Sequence, residues 1–174
     1  ARPTATLSTS ALTPGLTYAF RLTVTDVDGN FAYSSVQVAM NAPPTSGTVS
    51  VSPASGYPFE TDFEFVALGW TDDTDDDYPF TYKFTYAVTD GKEKPAADSQ
   101  DSATLSDVSL PQGNAANSYN VTVSVYVTDA YGAESDLSSD VAKVRPVVYS
   151  AAQLAKISKA LVCLLYTSDA ADEP

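Results

Sequence analysis

One strand-and-turn pattern occurs twice in this chain, as Tyr18-Ala-Phe-Arg-Leu-Thr-Val-Thr-Asp-Val-Asp-Gly29 and as Tyr119-Asn-Val-Thr-Val-Ser-Val-Tyr-Val-Thr-Asp-Ala-Tyr-Gly132. In each copy apolar and polar residues alternate until an aspartate–glycine turn, which is how a half-buried strand entering a hairpin reads. Val24-Thr25-Asp26 and Val127-Thr128-Asp129 lie 103 residues apart, about the length of one two-sheet β module of roughly 100 residues. The chain therefore reads as a cut through tandem modules. The copies differ in one respect: Tyr18 stands six residues before Val24, and Tyr119 eight before Val127. That spacing predicts a second strand that is longer or bulged.

The pattern divides the chain. Residues 1–41 read as the C-terminal part of an upstream β-sandwich, with strands over 18–25 and 31–40 around the Asp26–Asn30 turn. Two strands cannot enclose a sandwich core, so the inward side chains Tyr18, Phe20, Leu22 and Val24 are expected to face solvent or a neighbour. The chain is read as a piece of something longer. Asn41-Ala-Pro-Pro44 is a stiff linker, because consecutive prolines favour extended backbone. Residues 42–147 form one complete module. Strands are expected near 47–52, 62–70, 79–88, 102–109, 119–128 and 134–145, with a short one around 57–60. Prolines and glycines fall between them, which argues for a seven-stranded sandwich over a parallel α/β sheet. Tyr119, Val121, Val123, Val125 and Val127 are expected to form the inner stripe, with Tyr119 placed like a tyrosine corner. Residues 148–162 begin a helical segment: Leu154, Ile157 and Leu161 share one face, and Ser150 is its expected N-cap.

Composition removes several function classes. The formal net charge is −13, from nine basic and 22 acidic residues, so nucleic-acid phosphates and anionic membrane surfaces are not expected partners. There is no histidine, which excludes Ser-His-Asp and Cys-His catalysis and the commonest zinc ligand. Eleven tyrosines and seven phenylalanines, among many valines and threonines, favour strands. Ala160 to Tyr166 is apolar but far shorter than the roughly 20 residues a helix needs to cross a bilayer.

The single cysteine, Cys163, falls in the run Cys163-Leu-Leu-Tyr-Thr-Ser-Asp-Ala-Ala-Asp-Glu173, which resembles a translated transposase adapter from sequencing-library preparation. On that reading residues 163–174 are a non-native tail. Its acidic residues Asp169, Asp172 and Glu173 leave with it, and the remaining chain has no thiol. The alternative is a disordered acidic tail.

Two longer stretches carry a family resemblance. Asn41-Ala-Pro-Pro-Thr-Ser-Gly-Thr-Val-Ser-Val-Ser-Pro-Ala-Ser-Gly56, followed by Gly69-Trp-Thr-Asp-Asp-Thr-Asp-Asp-Asp-Tyr-Pro-Phe-Thr-Tyr-Lys-Phe84, resembles the receptor-for-egg-jelly (REJ) region of polycystin-family ectodomains. The Pro-Pro linker, the Ser-Pro turn, the Gly-Trp-Thr-Asp-Asp run and the aromatic strand stand in the order such regions show. Residues 10–41 also look like the closing hairpin of a PKD or fibronectin type III-like module. The resemblance implies an extracellular, non-enzymatic segment of a large membrane protein, lying on the outer face of the plasma membrane or secreted. The helix near Ser150 fits the approach to a membrane-proximal autoproteolytic region, whose cleavage motif this chain lacks. It also lacks the cysteines often found in animal relatives.

Few residues offer chemistry. Asp72, Asp73, Asp75, Asp76 and Asp77 place five carboxylates within six residues. The loop reads first as a solvated surface in a protein acidic throughout, and second as a weak Ca²⁺ site, since calcium takes six to eight oxygen ligands. Asp26-Val-Asp-Gly-Asn30 opens like a calcium loop, but its twelfth position is Gln37 rather than glutamate, so a hairpin turn is the better reading. Asn120-Val-Thr122 is a glycosylation sequon, and alternation points Asn120 away from the core. Trp70, the one tryptophan, reads as packing beneath the acidic loop rather than as a ligand-stacking surface. No pair of carboxylates suggests a glycosidase cleft.

The expected fold is all-β: tandem immunoglobulin-like or fibronectin type III-like antiparallel sandwiches with a short C-terminal helix. The expected function is a non-enzymatic structural or adhesive ectodomain segment, contacting other extracellular domains or glycans. It has no catalytic residue and no cofactor beyond the possible calcium. The alternative is a carbohydrate- or calcium-dependent binding module attached to a secreted hydrolase.

Overall fold

A computed structural model describes residues 6, 8–74, 77–88, 91–156 and 158–159. The chain is all-β with a short C-terminal helix, as its alternation predicts. The first element is a two-stranded antiparallel ribbon, β1 (Thr17–Thr25) and β2 (Phe31–Ala39). Its register pairs Tyr18 with Val38, Phe20 with Val36 and Leu22 with Ser34. Eight residues of irregular chain, 40–47, then lead through Pro43 and the fully buried Pro44 into the module.

The module consists of two facing layers. One is the antiparallel sheet β3 (Thr48–Ser52), β5 (Asp62–Leu68) and β8 (Thr104–Ser109). The other runs β4–β10–β9–β6–β7, with β4 (Ser55–Gly56), β6 (Thr81–Ala87), β7 (Lys94–Pro95), β9 (Asn120–Thr128) and β10 (Ser138–Val144). Alternation decides what lies between them. On β5, Phe63, Phe65 and Ala67 are buried while Asp62, Glu64 and Leu68 are exposed. On β9, Val121, Val123, Val125 and Val127 all have 0% exposure. Phe65 and Phe84 meet across the gap with ring centroids 6.1 Å apart. Each such side chain contributes about 1.5–3 kcal/mol on burial.

The two layers are also stitched along one side. The Val49 amide donates to Ser138 Oγ at 3.0 Å, and the Val51 amide to Asp140 Oδ2 at 3.0 Å. Side chains of β10 thus occupy main-chain donors on the outer edge of β3, which otherwise invites pairing with another chain.

Several local expectations are corrected. Residues 57–60 are a turn, with Phe59 at a positive φ of 61°. The short strand lies just before it as β4, because its two residues pair with the end of β10. The strand of the second repeat is neither longer nor bulged: β1 and β9 both have nine residues. Register slips instead between Phe63 and Phe65, where β5 meets β8. Tyr119 does not join the inner stripe. It stands before β9 at a φ of 64°, and its main-chain N–H and C=O bond Asn114 and Val144. Gly113 packs so tightly on this backbone that a Cβ there would lie 2.2 Å from Tyr119 O.

At the C-terminal end residues 151–156 are helical. Ser150 caps them reciprocally: Gln153 N donates to Ser150 Oγ at 3.3 Å, and Ser150 N to Gln153 Oε1 at 2.8 Å, which satisfies two helix-end donors. Leu154 is exposed. Ile157, Leu161 and the tail 163–174 lie outside the described residues. Among the described residues no helix is long and apolar enough to cross a membrane.

Candidate functional site

The two turns that close the repeats share one geometry. In the first, the amides of Asp28 and Asn30 donate to Asp26 Oδ1 at 2.9 and 2.8 Å, and Asn30 Nδ2 donates to Asp26 Oδ2 at 2.9 Å. These bonds, the Asn30 side chain foremost, hold the Asp26 carboxyl below the usual aspartate range. In the second, the amides of Tyr131 and Ala133 donate to Asp129 Oδ1, both at 2.9 Å. Gly29 and Gly132 take φ of 86° and 89° to complete the two turns, a backbone region open to glycine. The position of Asn30 is Ala133 in the second copy, which has no amide to offer Oδ2. Asn41, from the linker, supplies it: its Nδ2 donates to Asp129 Oδ2 at 2.6 Å.

This bond fixes where the linker crosses the module, and the acidic loop closes over the same place. Ala130 N donates to Asp77 O at 3.0 Å. Asp77 is buried, and its Oδ2 accepts from Thr74 N at 2.8 Å and Thr74 Oγ1 at 2.9 Å. Thr45 and Thr71 bridge through paired main-chain bonds of 2.8 and 3.1 Å. Between ribbon and loop lies a recess of about 510 Å³, lined by Thr17, Asn41, Asp73, Thr74, Asp77 and Tyr131 among others.

Of the five predicted loop carboxylates, Asp75 and Asp76 lie outside the described residues. Asp72 is half-buried: its Oδ1 accepts from Asp73 N at 2.8 Å, while its buried Oδ2 has no hydrogen-bond partner. Burial raises the Asp72 carboxyl above the usual range. The negative charges of Asp77, Asp129 and Asp73 raise it further, and the Asp73 amide opposes the shift. Like-charge crowding disfavours ionisation, and a cation would relieve it. Among the described residues no three acidic, histidine or cysteine side chains converge as a metal-holding group. Asp73 is exposed.

The remaining expectations scatter. Asn120 is half-buried at the start of β9 beside Lys143, remote in the strand from Asp129. Trp70 lies just past β5, half-buried against the core, with Nε1 lacking a partner. Its indole rests on Gly47, where a Cβ would fall 1.9 Å from the ring. A shallow recess of about 170 Å³ lies beside it, lined by Pro43, Pro44, Gly47 and Leu137 among others. The Asn41–Asp129 pair escaped sequence reading. The signal for it was the Asn30-to-Ala133 difference between the turns, which leaves one carboxylate oxygen short of a donor.

The REJ domain family profile matches residues 1–170 of this chain. No curated protein matches it in sequence. Among solved structures it is similar to the PKD domain of an M14-like peptidase from Thermoplasmatales archaeon SCGC AB-540-F20, at 16% identity and a TM-score of 0.39, over 60% of this chain and 98% of that one. It is also similar to the fibronectin(III)-like modules of Clostridium thermocellum CbhA, at 17% identity and a TM-score of 0.40, over 77% of this chain and 66% of that one.

Proposed function

The chain belongs to the REJ domain family, whose domains are typical of extracellular regions and in general non-catalytic, and on that premise we propose that it is a non-enzymatic spacer or adhesive segment in the ectodomain of a large membrane receptor. The observation that carries this reading is the clasp of Asn41 on Asp129. A linker pinned by a charged hydrogen bond, beside a buried proline, holds successive units at a set angle instead of letting them swivel. That is a property a spacer needs and a tethered enzyme does not. The test is surface labelling of cells that express the parent protein with an epitope in the exposed 26–30 turn. Labelling of intact cells is expected. A signal that requires permeabilisation would overturn the reading.

A second reading has one observation in its favour. Asp72 Oδ2 is buried without a partner, and burial first, then the neighbouring carboxylates, raises its pKa. On this reading the acidic loop, Asp75 and Asp76 included, takes Ca²⁺ weakly and stiffens the junction, in a binding module of a secreted hydrolase. Calorimetry at millimolar Ca²⁺ showing neither heat nor a thermal shift would exclude it. Binding on a glycan array that depends on Trp70 would extend it to carbohydrate.

A further inference from the structure

The ribbon β1–β2 has an apolar face that is half-buried at Tyr18 and Phe20 and open to solvent at Leu22, Val24, Val36 and Val38. Tyr18, Phe20, Leu22 and Val24 on β1 and Val36 and Val38 on β2 project from one side, as the register requires. Leu22 is 54% exposed, Val24 60% and Val36 58%. The second repeat shows what such a face is for. Placing Val24 on Val127 sets Leu22 on Val125, Phe20 on Val123 and Tyr18 on Val121, and those four valines have no exposure at all beneath β3–β5–β8. The cross-strand register agrees: Leu22 pairs with Ser34 as Val125 pairs with Ser138, and Phe20 with Val36 as Val123 pairs with Asp140. In the complete module the polypeptide preceding β9 makes the covering layer.

We propose that the face of Tyr18, Phe20, Leu22 and Val24 is the docking surface for a three-stranded antiparallel sheet of the β3–β5–β8 kind, supplied by polypeptide upstream of β1 in the same parent protein. A strand of the β6 kind then pairs with the free edge of β1, as β6 pairs with β9. A second copy of this chain does not suit the face. Two nine-residue strands make a ribbon about 30 Å long and about 10 Å wide, so one face offers roughly 300 Å². A stable contact between separate molecules takes about 800 Å² per partner. A layer on the same polypeptide is held at high effective concentration and does not need that area. An anionic lipid surface is disfavoured by the net charge of −13. The inference does not depend on the ectodomain reading, since it concerns how the repeat is completed.

The test uses this chain and one extended upstream by the parental sequence, with the dye ANS as probe. This chain is expected to be monomeric and to enhance ANS fluorescence. Leu22→Lys is expected to lose most of that enhancement, whereas Tyr33→Lys, on the opposite face, keeps it. The extended chain is expected to lose the ANS signal and to slow hydrogen exchange of the β1 amides by about tenfold or more, as folded core strands do. That comparison needs no substitution, so an unfolded variant would not obscure it. Unchanged ANS binding and unchanged β1 exchange in the extended chain would overturn the proposal. A dimer of the present chain that Leu22→Lys dissociates would overturn it too, in favour of a second copy.

Discussion

Asn41 and Asp129 stand 88 residues apart in sequence and share a hydrogen bond of 2.6 Å from Nδ2 to Oδ2. The carboxylate is buried at 5% exposure, and its other oxygen is already engaged by two amides. The linker side chain therefore completes a turn that in the first repeat is completed from within, by Asn30. One substitution in the turn, alanine where asparagine would stand, makes the turn depend on the chain that enters the module.

Asn41→Ala is accordingly expected to cost about 1.5–3 kcal/mol, the range for a hydrogen bond to a charged group. Chemical denaturation measures this, and a cycle with Asp129→Asn isolates the pair from the backbone bonds that Asp129 also accepts. The variant should also free the ribbon to reorient, which ¹⁵N relaxation would report as separate tumbling of residues 17–39. Equal stability and unchanged relaxation would show that the bond does not restrain the junction.

Gly47→Ala is expected to displace the indole of Trp70, because the new Cβ would fall 1.9 Å from the ring. A shift must follow, and overpacking of this sort costs about 1–3 kcal/mol. With one tryptophan in the chain, intrinsic fluorescence reports the site alone. The emission maximum should move to longer wavelength as the ring meets water.

The strands were legible because alternation and burial coincide: Phe63, Phe65 and Ala67, or Val121 to Val127, announce their face at period two. The two-residue strands β4 and β7 were not, since two residues carry no period and pair only because β10 and β6 run beside them. Tyr119 misled for a related reason. It continues the valine alternation in sequence, but a positive φ turns it off the strand. The acidic loop was visible as composition. Its link to the second turn was not, because the bond from Ala130 N to Asp77 O is between main-chain groups and depends on no side chain. The Asn41–Asp129 bond left as its trace the Asn30-to-Ala133 difference between the two turns.

Core and ribbon should respond differently to the loss of a large side chain. Phe65→Ala removes a ring with 0% exposure that meets Phe84 across the layers, and is expected to cost about 3–5 kcal/mol. Leu22→Ala removes a half-exposed side chain of the ribbon and should stay within about 1 kcal/mol in this chain. Urea midpoints of the two variants make the comparison. A Leu22→Ala cost as large as that of Phe65→Ala would mean that the ribbon face is already covered in solution.

Asp72 gives a pH dependence with a definite sign. Its carboxyl is raised in the folded chain, by burial first and then by Asp77, Asp129 and Asp73, so the folded state holds the proton to higher pH than the unfolded one. The stability this group contributes is then full below the unfolded value and falls as pH rises through and just above the ordinary aspartate range. Asp26, whose pKa is lowered, works in the opposite direction and at the acid side, so Asp72 is isolated by difference. Asp72→Asn keeps the acceptor for the Asp73 amide and removes the charge. The melting temperature of the variant should match wild type in acid and exceed it near neutral pH, modestly because solvent screens this partly exposed carboxyl. If the loop takes Ca²⁺, wild type should gain about 1.4 kcal/mol at ten times the dissociation constant, and the variant less. A difference between the two proteins that is flat across pH, with no calcium response in either, would show that the Asp72 carboxylate is well solvated.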